Sequence, residues 1–196
     1  NGGYNWNAKN LIVIWRCEEL YKVLIHELLH AYGVGDVLMS PRVKEEFSHY
    51  AVRGNILPFE AMVESAALYL YLKIMEKWLH VIKEEIFPAE MQHSVLQVAK
   101  ILNYFGFTNI QELWQTNKFI YQDSCVFSYY ILKGALFYNY AEFLSYYKQD
   151  PLLNDYAKNI SLLNNSMKNP VFQNDVNKAM SLYNMDLNYK LQNIYN

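Results

Sequence analysis

The sequence predicts a mainly α-helical fold with a minimal β element ahead of the first helix and a helical C-terminal lobe. β-Branched residues are concentrated in one short run near the start, and apolar residues recur at three- and four-residue spacing through most of the remaining chain. The 196 residues are 53% hydrophobic and 18% charged, which excludes intrinsic disorder and predicts a packed core. Because no fixed-period repeat and no Gly/Ser-rich linker divides the chain, we expect residues 1–196 to form a single domain.

The β element is predicted over residues 11–15, where Leu-Ile-Val-Ile-Trp suits a buried or half-buried strand. A helix is predicted over residues 16–32. Its first turn holds Glu18 and Glu19, which the helix dipole favours, and Gly33 follows as a left-handed terminator. A strand followed directly by a helix is therefore the first unit of the fold.

The rest of the chain predicts helices separated by helix breakers. Pro58 is predicted to open a long helix that runs to about residue 85, and Pro88 is predicted to break the helical pattern. The Asn-rich tail from Asn184 onward has weaker periodicity, and we expect it to fray. Five more helices are predicted, over residues 90–105, 109–118, 125–148, 151–164 and 171–183.

Charge and composition exclude several classes of partner. Lys+Arg 17 against Asp+Glu 19 gives a net charge of -2 with no basic block, so we expect no nucleic-acid partner. The longest apolar runs, 11–15 and 66–72, fall short of the roughly 20 residues of a membrane-spanning helix, so we expect no membrane partner. Cys17 and Cys125 are too few for a disulfide framework and are predicted to be ordinary buried thiols. Because the chain begins with Asn1 rather than methionine, we expect it to be a piece of a longer protein.

An HExxH pattern runs from His26 to His30 inside the first predicted helix. The two histidines are one helical turn apart, so their imidazoles point from the same face and can share one metal ion. Glu19 and Lys22 belong to the same narrow stripe, with Glu27 on its flank and leucines around most of the remainder. Burying these polar groups is costly unless something pairs with them, and a divalent cation is the most economical partner. The alternative is a histidine pair that only packs or hydrogen-bonds in the core.

A catalytic zinc site needs a third protein ligand, and the sequence offers two candidates. Glu60 and Glu64 are predicted to lie on one helix face, where their like charges repel unless a cation or a histidine lies between them. Glu60 can then act as the ligand while Glu64 holds a ligand imidazole from behind. The second candidate is Asp36, because the chain also fits the longer pattern HExxHxxGxxD, in which the glycine turns the chain back to the metal.

The HExxH helix and the two downstream glutamates resemble the zincin metallopeptidases, over about residues 11–72. In the gluzincin branch, which includes the thermolysin-like enzymes and anthrax lethal factor, the third zinc ligand is a glutamate on a downstream helix. An acidic residue four positions later commonly orients a ligand histidine in that branch. Glu60 and Glu64 are similar to that pair.

The gluzincin resemblance implies a zincin-like catalytic domain that binds Zn²⁺ through His26, His30 and Glu60. It places Glu64 behind a ligand histidine and makes Glu27 the general base. The implied function is a zinc-dependent metallopeptidase that hydrolyses a peptide or protein substrate with a metal-activated water.

The metzincin branch is our second choice. There Asp36 would be the third ligand, but that branch also has a methionine turn downstream; Met39 is too close and Met62 lies inside a predicted helix. A weaker resemblance, carried by the HExxH helix and residues 124–130, is to uncharacterised metallopeptidase-like proteins of large DNA viruses. It favours a cytoplasmic or virion location over secretion.

Two alternatives come from other classes of protein. One is a catalytically inactive zincin-fold scaffold or binding module, for example a virion component. The other is a structural metal site, whose fourth position a residue such as Asp36 would close. A peptidase also needs a donor for the oxyanion, and the sequence leaves four candidates open: His49, Tyr50, His93 and Tyr129.

Overall fold

A computed structural model describes residues 3–6, 11–15, 19–79, 83–115 and 117–194. Within these ranges the chain is mainly helical, which confirms the predicted class at that level. Its strands are β1 (Gly3–Trp6), β2 (Leu11–Ile14), β3 (Val52–Arg53) and β4 (Ile120–Tyr121). Its α-helices are α1 (Leu20–Ala31), α2 (Val43–Glu46), α3 (Pro58–Leu79), α4 (Lys83–Tyr104), α5 (Lys133–Phe137), α6 (Tyr140–Gln149), α7 (Tyr156–Met167) and α8 (Pro170–Ile194). There are also 3-10 turns at Asp36–Met39 and Ile110–Trp114 and a π-helical segment at Phe127–Leu132.

The predicted strand is confirmed as β2, and it pairs with a strand that the sequence did not indicate. β1 runs antiparallel to β2, with Gly3 opposite Ile14. A Cβ atom on Gly3 would lie 2.7 Å from Cγ1 of Val23 in α1, so this glycine lets the hairpin approach the helix closely. β1 holds Gly3 and Asn5, which have low strand propensity, beside Tyr4 and Trp6, which favour strands, and its pairing with β2 decides between the two tendencies.

Helix α1 ends within one residue of the predicted end. Its first residue is Leu20, and the predicted start at residues 16–18 lies outside the described residues. Gly33 has a φ of 74° after the last turn, and its backbone N–H bonds to the carbonyl of His30. Gly33 is therefore the left-handed terminator that the sequence indicated.

The prediction that Pro88 breaks the helical pattern is wrong. Helix α3 begins at Pro58 as expected but ends at Leu79, and α4 begins at Lys83 and continues through Pro88. Pro88 is only the sixth residue of α4. Its missing N–H would have bonded to the carbonyl of residue 84, next to the helix start, so the helix loses one hydrogen bond close to its end and continues.

The helical lobe after α4 matches the prediction in outline. The helix predicted over 109–118 is a 3-10 turn, and the one predicted over 125–148 is divided into the π-helical segment, α5 and α6. Tyr138 and Asn139 form the turn between α5 and α6. Helix α8 continues through Asn184 to Ile194, where the sequence predicted fraying.

Helix α3 lies at the centre of the core. Ala61, Met62 and Val63 are fully buried in succession, so the first half of this helix is enclosed on all of its faces, whereas its second half has an exposed side. It packs against α1 on one side and against the π-helical segment and α5 on another. No helix in the described part of the chain is long and apolar enough to cross a membrane.

Candidate metal centre

The three predicted metal ligands meet where α1 crosses the first turn of α3. The Nε2 atoms of His26 and His30 are 2.9 Å apart. Oε2 of Glu60 lies 3.2 Å from Nε2 of His30 and 3.4 Å from Nε2 of His26. One helix thus supplies the two imidazoles, and a residue thirty positions later in the chain supplies the carboxylate.

These separations fit a bound divalent cation. Ligand distances of about 2.0–2.2 Å and tetrahedral angles place neighbouring ligand atoms about 3.3–3.6 Å apart. The three observed separations lie within or just below that range. Two imidazole nitrogens this close repel through their lone pairs unless they share a proton or a cation. The buried His26, His30 and Glu60 group can therefore hold a metal ion.

The electrostatics of this group make Glu60 an anion. Burial alone would raise the pKa of Glu60, but its contacts with His26 and His30 lower the pKa to about 2. Burial likewise disfavours the charged form of His26, and the neighbouring Glu60 and Glu64 more than compensate, so the pKa of His26 lies above its usual value. The centre therefore combines an ionised carboxylate with two imidazoles, which is a donor set typical of Zn²⁺.

Glu64 lies behind His26, as the sequence predicted. Its Oε1 atom is 3.3 Å from Nδ1 of His26, and its Oε2 atom is 3.5 Å from Nζ of Lys22. Burial would raise the pKa of Glu64, yet Lys22, His26 and Lys133 together lower it. Lys22, which the sequence places on the histidine stripe of α1, contacts α3 through its ammonium group.

Glu27 occupies the position expected of a general base. It is buried, and it lines an open cleft of about 370 Å³ together with His26, His30 and Glu60. Burial raises the pKa of Glu27, although the two histidines oppose that effect. A carboxylate of raised pKa beside a metal centre is suited to accept and return a proton near neutral pH.

Asp36 lies at the rim of the same cleft but outside the converging ligand group. Gly33 and Gly35 both have positive φ, at 74° and 76°, and the 3-10 turn that follows begins at Asp36. The Asp36 backbone N–H bonds to the carbonyl of Gly33, which keeps the carboxylate in this exposed turn. Of the two candidate third ligands, the fold brings Glu60 to the histidines.

The π-helical segment brings Tyr129 to the centre. The backbone N–H of Leu57, just before α3, donates to Oγ of Ser128 at 3.1 Å. The segment is also tied at its start, where the backbone N–H of Phe127 donates to Oε1 of Gln122 at 2.8 Å. Because π-helical turns change which residues face a neighbour, this segment determines the direction of Tyr129.

Tyr129 is the oxyanion candidate that lines the cleft. Its ring centroid is 6.2 Å from that of His26, and burial together with the charge of Glu60 raises its pKa. The other three candidates are elsewhere: Tyr50 donates to Oδ1 of Asn164, His49 lies against Tyr50, and His93 is exposed on α4. Sequence pattern could not distinguish Tyr129 from the other 17 tyrosines, because its position depends on contacts between distant segments.

Several further residues of the cleft carried no sequence signal. Gly3 and Tyr4 of β1 form part of its lining, and the ring of Phe59 meets His30 edge to face at a centroid distance of 5.6 Å. Cys17 and His80 lie outside the described residues. Cys125 is half-buried, and burial raises the pKa of its thiol.

No protein-family model, curated protein or solved structure matches this chain. The geometry of the centre is therefore the basis for assigning a function.

Proposed function

We propose that this protein is a zinc-dependent metallopeptidase of gluzincin type that acts on a peptide or protein substrate. One observation carries the proposal: two imidazoles of an HExxH helix and a carboxylate from a separate helix converge on an open cleft, with Glu27 beside them. A histidine pair with only a packing role needs no third acidic group aimed between its two Nε2 atoms. The donor set of His26, His30 and Glu60 favours zinc over magnesium or calcium, which prefer oxygen ligands.

In this mechanism, His26, His30 and Glu60 hold the ion. A Zn²⁺ ion held there would lower the pKa of a water towards neutrality and would polarise the scissile carbonyl. Glu27 accepts the proton of the attacking water and returns it to the leaving amine. The Tyr129 hydroxyl, on the cleft wall, donates a hydrogen bond to the oxygen that becomes negative during attack.

The proposal is tested by comparing the wild-type protein with Glu27→Gln. Metal content is measured after purification without chelator, and cleavage is measured with a mixed peptide library. We expect wild type to contain about one zinc per chain, and we expect the variant to keep the zinc but lose at least about a hundredfold in cleavage rate. Lys73→Met, on the exposed side of α3, is the control and should retain both properties.

Two outcomes contradict the proposal in different ways. A wild-type protein that binds zinc but cleaves nothing supports a structural metal site or an inactive scaffold. If the wild-type protein binds no zinc, the proposal that His26, His30 and Glu60 form a zinc site is wrong.

A further inference from the structure

Acidic side chains and nitrogen donors alternate along the contact between α1 and α3. From one end the order is Lys22, Glu64, His26, Glu60 and His30, and successive members lie 3.5, 3.3, 3.4 and 3.2 Å apart. Three of the five are the proposed zinc ligands, and Glu64 contacts one of these ligands, His26. Lys22 forms the end of this row, one helical turn before the first ligand.

Lys22 and Glu64 lie behind the ligands rather than in the cleft. The residues lining the cleft include His26, His30 and Glu60 but neither of these two. Lys22 is therefore not placed to touch a substrate, and any contribution it makes to the centre must pass through Glu64.

The Glu64 carboxylate depends on Lys22 for its orientation. Its Oε2 atom is buried and makes no hydrogen bond among the described residues, so the ammonium 3.5 Å away is its nearest charged contact at that oxygen. Lys133 at the start of α5 is the other cation that acts on this carboxylate. Without Lys22, we expect Glu64 to rotate towards Lys133 or towards solvent and to leave His26.

The geometry points to Lys22 as a positioning residue of the metal centre, which holds Glu64 against Nδ1 of His26 and thereby aims Nε2 of that ring at the metal. The inference rests on the proposed function. Nδ1 of His26 is buried and makes no hydrogen bond among the described residues, so Oε1 of Glu64 acts on it through its charge at 3.3 Å. A carboxylate at Nδ1 favours the tautomer that leaves the Nε2 lone pair free, and partners of this kind typically change metal affinity by about 10–100-fold. Lys22 acts one contact further away, so its effect should be smaller.

The test is a double-mutant cycle on zinc affinity, measured by competition with a chromophoric chelator. The variants are Lys22→Met, Glu64→Gln, their combination, and Lys22→Arg. Methionine keeps an unbranched apolar side chain of similar length but removes the charge. Lys73→Met is the matched control, because it removes a lysine that pairs with Glu76 on the exposed side of α3.

We expect Lys22→Met to weaken zinc binding roughly threefold to tenfold and Glu64→Gln about tenfold or more, with no further loss when the two are combined. Lys22→Arg should remain within about twofold of wild type, as should the Lys73→Met control. A role for Lys22 in helix packing alone would weaken binding equally in the wild-type and Glu64→Gln backgrounds.

Three results overturn the inference. They are unchanged affinity in Lys22→Met, an equal loss in both backgrounds, or a loss in Lys22→Arg as large as that in Lys22→Met. Circular dichroism of the metal-free variants checks that they fold, and Lys22→Gln replaces Lys22→Met in the cycle if the latter is unfolded. A wild-type protein without zinc affinity overturns the proposed function as well, whereas zinc-binding wild type with an unaffected Lys22 variant overturns only the role of Lys22.

Discussion

At the scale of single residues, Glu60 decides the character of the centre. A buried carboxylate is normally expensive, and burial alone would push its pKa upward. The imidazoles of His26 and His30 reverse that effect and bring the pKa to about 2, so the group is ionised throughout the physiological range. Glu60 thus contributes a negative charge between two imidazoles, which distinguishes a cation site from a simple histidine pair.

Glu60→Ala should abolish high-affinity zinc binding, with a loss of roughly a hundredfold or more, because a direct ligand matters more than the neighbours that orient one. Asp36→Ala is the matched control, since it removes an acidic group from the rim of the same cleft. Its zinc affinity should stay within about twofold of wild type. Isothermal titration of both metal-free variants measures the difference, and the reverse pattern would make the protein metzincin-like.

At the scale of secondary-structure elements, a short parallel pair of strands supports one wall of the cleft. β3 pairs with β4, and the backbone N–H of Gln122 bonds to the carbonyl of Arg53 at 3.0 Å. Gly54 follows with a φ of 114°, and a Cβ there would collide with the carbonyl oxygen of Gln122. Because Gln122 also holds the start of the π-helical segment, this close approach positions Tyr129.

Gly54→Ala should lower the free energy of unfolding by about 2–3 kcal/mol, since alanine must adopt a strained φ and displace the neighbouring backbone. Gly106→Ala tests the contribution of φ alone, because Gly106 has a φ of 77° with no atom near its missing Cβ. That control should cost about 1 kcal/mol. Urea denaturation gives both values, and equal losses would show that the close approach to Gln122 contributes nothing.

A second element, the 3-10 turn Ile110–Trp114, is held by one carboxylate. Glu112 accepts hydrogen bonds from Nζ of Lys118, from the backbone N–H of Thr108 and from the hydroxyl of Thr108, at 2.8–2.9 Å. The Lys118 contact is the main reason that the pKa of Glu112 falls from 4.5 to about 2. A depressed carboxyl pKa stabilises the fold above the unfolded-state value, and the stabilisation is lost as the pH falls towards the folded-state value.

Glu112→Gln should therefore lower the urea midpoint at pH 7, and the difference from wild type should shrink as the pH falls from 4.5 towards about 2. The effect is small because the Glu112 side chain is only half-buried and solvent screens its charge. Glu142→Gln, at an exposed position of α6, is the control and should change neither midpoint measurably. A difference that is constant over this pH range would mean that the ionised carboxylate is not what holds the turn.

At the scale of the whole molecule, the features that could be predicted from sequence are those set by local periodicity. The HExxH spacing places two histidines on one helix face whatever the surroundings, and Pro58 and Gly33 mark helix ends through their own backbone preferences. Glu60 and Glu64 could be selected because two like charges on an apolar helix require a partner. The convergence of these separate patterns is a finding of the structure.

The features that could not be predicted depend on contacts between distant segments. β1 is a strand because β2 pairs with it, and its four residues are too few and too mixed in strand propensity to indicate one. Residues 125–148 form three helical pieces, and their arrangement sets the direction of Tyr129. One of the bonds that hold this arrangement joins Leu57 to Ser128, which lie 71 positions apart in the chain. Lys22 could be placed on the histidine stripe, but its contact with Glu64 required knowledge of how α1 and α3 cross.

The enclosure of α3 has a consequence for how this protein can change over evolutionary time. Glu60 and Glu64 flank the fully buried residues 61–63. The same turn of α3 therefore supplies core side chains and two carboxylates of the candidate metal centre. A substitution inside that turn changes the packing of the core and the shape of the candidate metal centre at the same time. Substitutions are consequently tolerated best at the outer margins of the cleft, at Tyr4 and Met39, where side chains reach solvent and replacement costs little stability.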